Sequence, residues 1–220
     1  MFVNRHQHGF TLVELMIALV VNVIILLALV SVFSANTSHV AKSTNLDALD
    51  QQLQTAMQFM VNDIRRAGYW GNARNDLGNN QNNNPFMASG MDIAVTGGNC
   101  IIFSYDTNSD NSAPSITSAS DDERYGYRLS SQTLQARPYG ATFACNAQAS
   151  AWENVTDPNI VQITALSFTL NSLTVPVGAV SRTMQVRSVD ISISGRLTSN
   201  TAITKTLTQH VRIMNDKFVP

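Results

Sequence analysis

The sequence predicts an α+β protein, one long N-terminal helix packed on an antiparallel β head, and three observations carry that prediction. The run from Leu15 to Phe33 is nineteen residues without a charge, and Asn22 and Ser31 are its only clearly polar members. At about 1.5 Å of rise per residue, a helix of that length spans a hydrocarbon core. Behind it, Leu46, Leu49, Leu53, Met57, Met60, Ile64 and Ala67 recur at spacings of 3, 4, 4, 3, 4 and 3, the stripe of a helix that buries one face. Beyond residue 100 the apolar residues fall in short β-branched and aromatic runs bounded by polar turn residues, which is strand patterning.

Composition bounds the rest. A chain of 220 residues leaves room for one head domain of about 150 residues beyond the helix, enough for a core. The net charge is −1 and the charged fraction only 13%, with no basic stripe to suggest nucleic acid as a partner. Abundant Asn, Ser and Thr suit an exported surface. Arg5, ahead of the apolar run, keeps the N-terminus cytoplasmic. The head, with Cys100 and Cys145, then lies outside the cytoplasm, where disulfides persist.

The helix is expected as one piece over residues 10–67, with the membrane-spanning part at about 10–34, because no Gly or Pro occurs between Phe33 and Gly68. Gly68 suits the position just past a helix end, and Arg65 and Arg66 suit its last turn. Residues 72–85 include seven asparagines and read as a surface loop. Cys100–Tyr105 reads as a strand, and 106–122 as a second polar loop. Arg124–Leu129 and Gln132–Arg137 pair as a hairpin through Ser130-Ser131. The longest strand signals are 160–170, 183–197 and 203–213, the last two joined across Ser199-Asn200.

Sites for chemistry are few. Glu14 sits among Leu12, Val13, Leu15, Met16 and Ile17, where an unpaired carboxylate is expensive, so it needs a partner. Four histidines, His6, His8, His39 and His210, are scattered, and no HExxH, CxxC, GxSxG or P-loop pattern occurs. No catalytic residue is expected. Asp106, Asn108 and Asp110 have the D-x-N-x-D start of a calcium loop. Asn111 stands where that loop has glycine and Thr117 where it has glutamate, while Asp121, Asp122 and Glu123 offer ligands for a different closure. No other cofactor is expected.

The order of features at the N-terminus is distinctive: a short polar leader ending in Gly9, then the apolar run GFTLVELMIALV. It resembles the class III signal of type IV prepilins and pseudopilins. The resemblance implies that a prepilin peptidase cuts after Gly9 and methylates the new amine of Phe10. It also implies that Glu14 pairs with the amine of a neighbouring subunit. The stretch Asp63–Gly71, DIRRAGYWG, is similar to the helix exit of PilW-type minor pilins. That family often carries a cysteine after the second glycine, where this chain has Asn72, which leaves Cys100 and Cys145 as the pair for an intramolecular bridge.

The resemblance further implies a leader at 1–9, a long helix at 10–67 and an extracytoplasmic head at 68–220. The protein would be single-pass in a bacterial inner membrane, with its head in the periplasm, and would then be incorporated into a pilus at the cell surface. Its partners would be other minor pilins, the major pilin, the prepilin peptidase and the inner-membrane assembly platform. Its role would be pilus assembly and initiation, serving twitching motility and cell adhesion. A J-type pseudopilin of a type II secretion system shares the signal and the helix, and the AGYWG exit favours the pilus. A membrane-anchored periplasmic enzyme would need a convergent polar site that the sequence does not contain.

Overall fold

The computed structural model describes residues 9–75, 83–115, 118, 120–146, 152–178 and 182–219, without side chains at 38, 39, 41, 42 and 45. The leader residues Arg5, His6 and His8, positions 76–82 of the Asn-rich tract, Thr117 and the His39 side chain therefore lie outside the described residues.

Helix α1 (Leu12–Arg66) is continuous over 55 residues. Its interior polar residues do not interrupt it, because the hydroxyls of Ser31, Thr37 and Thr44 donate to Ala28 O, Ser34 O and Val40 O one turn back. The chain divides into two units within this helix, one ending at Leu46 and one comprising Asp47–Pro220. In the first, Leu12–Thr37 is long and apolar enough to cross a membrane, and none of it is buried within the chain.

The second unit packs the remainder of α1 with two antiparallel sheets. One is a meander of β1 (Ala94–Thr96), β2 (Cys100–Ser104), β3 (Arg124–Ser130), β4 (Thr133–Ala136) and β5 (Glu153–Asn154), in that spatial order. The other holds β6 (Val161–Pro176), β7 (Thr183–Leu197) and β8 (Thr204–Arg212), with β9 (Lys217–Val219) also on β7. The core combines Leu49, Leu53, Met60 and Ile64 of α1 with Ile101 and Phe103 of the first sheet and Ile163, Ile191 and Ile193 of the second. Leu46, the first residue of the sequence stripe, is exposed, so the buried stripe begins at Leu49.

Several boundaries differ from the sequence reading. The β3–β4 turn is Ser131-Gln132, one residue later than expected, because Ser130 pairs with Thr133. Both turn residues have positive φ (49° and 59°), the twist that a two-residue hairpin needs. Strand β6 continues past Leu170 to Pro176, held by its register from Val161↔Leu197 to Pro176↔Thr183. The short strands β1, β5 and β9 give too few residues for a periodic signal and exist through their neighbours.

Candidate functional site

The start of α1 is built by local hydrogen bonds. Thr11 precedes the first helical residue, and its Oγ1 accepts from Glu14 N at 3.3 Å. In return, Glu14 Oε2 accepts from Thr11 N at 3.0 Å and from Thr11 Oγ1 at 2.9 Å. This is a reciprocal capping box, which satisfies two amides of the first turn at once. The carboxylate that looked stranded in sequence therefore has a partner inside its own chain. The T-x-x-E spacing of Thr11 and Glu14 was the signal for it. Glu14 Oε1 accepts no hydrogen bond among the described residues.

Gly9 and Phe10 lie just outside the helix. A Cβ built on Gly9 meets nothing within 4 Å, and the residue's φ is not in the left-handed region. Among the described residues, neither packing nor backbone strain therefore demands glycine there. Gly9 and Phe10 are both exposed, Phe10 at 89%.

At the other end of α1, the Asp63–Gly71 stretch turns the chain into the head. Gly68 has φ 73°, and Met87 occupies the space where its Cβ would stand. Asn215 Nδ2 caps the last turn on Arg66 O and Ala67 O, and Met214 N on Arg65 O. Asp63 accepts from Tyr105 Oη at 3.1 Å and Tyr127 Oη at 2.6 Å, fastening the helix to β3 and the residue after β2. Burial, reinforced by the Asp63 charge, pushes both phenols up from their ordinary pKa. Arg66 lies 4.3 Å over the Tyr105 ring.

Asp106 and Asp110 of the loop after β2 come together with Glu123, their carboxylate oxygens within 4.8 Å of one another. Asp106 accepts from Gly71 N (2.9 Å) and Ser109 N (2.6 Å), so the loop is tied to the helix exit. Asn108 turns its Oδ1 onto Asp110 N, leaving Glu123 as the third acid, contributed by the entry to β3. Burial, with Asp106 and Asp110 adding, pushes the Glu123 carboxyl up despite N–H donors from Thr107 and Asn108. Its neighbour Asp122 is shifted the opposite way. Burial raises it too, but Arg124, Arg137 and Gly140 N all donate to it and hold it below the usual carboxylate range.

Cys100 and Cys145 are joined, with Cα atoms 6.0 Å apart and a sequence separation of 45. The bridge ties β2 to the loop after β4. His210 pairs with Asp190 at 2.6 Å on the exposed face of β7 and β8.

The chain matches the family model described as prepilin peptidase-dependent protein B over residues 42–213. It also matches the prokaryotic N-terminal methylation motif over residues 4–33. It is similar to a curated protein of Escherichia coli (strain K12) named prepilin peptidase-dependent protein B, with 24% identity over 158 residues, 71% of this chain and 74% of that one. No solved structure matches it significantly.

Proposed function

The chain belongs to the prepilin peptidase-dependent protein B family, and from that premise we propose that it is a minor pilin of PilW type. In this reading Leu12–Thr37 anchors the subunit in the inner membrane, and the second unit is its periplasmic head. Cleavage after Gly9 frees the Phe10 amine, and the subunit then enters a pilus with other pilins through the assembly platform. The family is one of pilin-like structural proteins, so the role is a subunit's and not a catalyst's.

The observation that carries the reading is the unexplained glycine. Among the described residues nothing packs where a Gly9 side chain would stand, and recognition by a peptidase supplies a reason for glycine there. Glu14 supports the same reading. Its Oε2 is held by Thr11 while Oε1 accepts no hydrogen bond among the described residues, so the carboxylate can receive a neighbour's new amine without abandoning its own cap.

The test is Gly9→Val, expected to leave a full-length precursor in the membrane and no subunit in sheared pili. Mass spectrometry of wild-type pili should find a mature chain beginning at Phe10. A mature chain at wild-type level in the Gly9→Val strain overturns the cleavage assignment. A processed protein absent from pili but required for secretion would assign it to a secretion system instead.

A further inference from the structure

The second sheet ends on two edges, and they are built differently. On β6, Ile163 N donates to Gln132 O and Phe168 N to Gly98 O, both in turns of the first sheet, and the strand ends at Pro176, which has no N–H. β8 is the last strand on the other side, and among the described residues no strand pairs with its far edge. The ladder fixes which groups lie on that edge. Ile213 N, just past the strand, donates to Arg187 O on β7, and Met214 N turns the other way to Arg65 O of α1. In antiparallel pairing the two directions alternate, so Thr204, Thr206, Thr208, His210 and Arg212 send N–H and C=O outward. Among the described residues none of these five N–H groups donates a hydrogen bond, and His210 O accepts only from the neighbouring Gln209 side chain.

Natural proteins defend such an edge with lysines, proline, a bulge or brevity. β8 runs nine residues, about 30 Å, without proline and without a shift in its register on β7. Its basic residues are turned to acids of the same chain: Lys205 to Asp50 of α1, His210 to Asp190 and Arg212 to Asp216. None of them is left to repel an incoming strand.

The occupant follows from the groups on offer. A row of outward N–H and C=O groups at alternate residues is complementary to the backbone of another extended chain. On one face of β8, Thr204, Thr206 and Thr208 are exposed, and on the other Leu207 and Val211 turn to the core. A strand laid beside β8 would therefore carry polar residues on the first face and apolar ones on the second. This chain does not supply it from the segments outside the described residues: the longest internal one, 76–82, has Leu77 as its single apolar residue. A second copy fits poorly. Full-length antiparallel pairing of two β8 strands sets Lys205 beside Val211 and Gln209 beside Leu207, polar against apolar. We infer that the free edge of β8 takes an extended segment of a different polypeptide, alternating apolar and polar, as a further strand of the second sheet. This stands on the strand geometry and not on the subunit role proposed above.

A photo-reactive residue at Thr208 of the full-length protein, irradiated in cells that make it with its native neighbours, should link to one defined peptide of another polypeptide with that alternation. The same photo-reactive residue at Leu173, exposed on the opposite edge strand, should not. Thr206→Pro deletes one outward N–H and spares the ladder to β7. It should lower the Thr208 adduct roughly two- to ten-fold, with the Cys100–Cys145 bridge and the membrane level unchanged. Thr206→Lys supplies the unpaired edge charge that β8 lacks and should lower the adduct as well, and it decides the case in which Thr206→Pro does not fold. No adduct, adducts scattered over unrelated peptides, an equal adduct at Leu173, a link to a second copy of this chain, or an adduct undiminished in a folded variant each overturns the inference.

Discussion

Thr11 and Glu14 close on one another through three hydrogen bonds that no other side chain among the described residues joins, so the carboxylate is oriented by one hydroxyl together with one backbone N–H. Thr11→Ser keeps that hydroxyl and should assemble normally, whereas Thr11→Val should lower the ratio of pilus-borne to membrane-borne protein while leaving cleavage intact. The lost cap alone is worth about 1 kcal/mol, and wild-type incorporation of Thr11→Val would remove the orienting role. In the head, adjacent residues carry opposite pH dependences. Asp122 has a folded pKa below its ordinary 3.8. Its contribution is therefore present above about pH 4 and is lost as pH falls through the folded value. Glu123 has a folded pKa above its ordinary 4.5, so the native state binds the extra proton and loses stability as pH rises past that point. Asp122→Asn should destabilise by about 3–5 kcal/mol at pH 7, because buried Arg137 loses its counter-charge. Glu123→Gln should stabilise at pH 7 and flatten the profile above pH 4.5. Denaturant unfolding of the full-length protein in detergent across pH 3–8 checks both, and matching profiles for the two variants would refute the opposed shifts.

At the scale of elements, the exit of α1 depends on Gly68. Its φ of 73° disfavours any side chain, and Met87 fills the space a Cβ would take. Gly68→Ala should cost at least about 1–3 kcal/mol for the left-handed backbone alone. The pairing of Met87→Ala with Gly68→Ala measures the steric part, because the double variant should lie above the sum of the singles in stability. Additive losses would assign the whole effect to the backbone. The loop after β2 belongs to the same element. Asp106 holds Gly71 N, so the sequence pattern that reads as a metal loop also serves as the clamp on the helix exit. That second use was not legible, because Gly71 and Asp106 are 35 residues apart and only the fold of the first sheet brings them together.

For the whole molecule, the Cys100–Cys145 bridge closes a loop that contains β3, β4 and the polar tract after β2. Replacing both cysteines with serine should lower the unfolding free energy by about 4 kcal/mol in the chain-entropy model, read as a lower denaturant midpoint than that of the oxidised wild type. An unchanged midpoint would mean that the unfolded chain is not constrained by the bridge. Thiol labelling of the unreduced protein should detect no free cysteine. What the sequence determined by itself is what depends on near neighbours along the chain. The uncharged run, the 3–4 stripe and the helix stop at Gly68 follow from spacing a few residues long, and the helix bounds Leu12 and Arg66 fall close to those read from it. The Thr11–Glu14 cap belongs to the same class and was open to reading from its spacing alone. Only the tertiary structure decided the division of the strands between two sheets, the continuation of β6 to Pro176, the strands β1, β5 and β9, and the meeting of Asp106 and Asp110 with Glu123. Each of these is a pairing between segments far apart in the chain. A strand of two or three residues has no periodicity of its own, and a carboxylate's neighbours are set by which loops the sheets bring together.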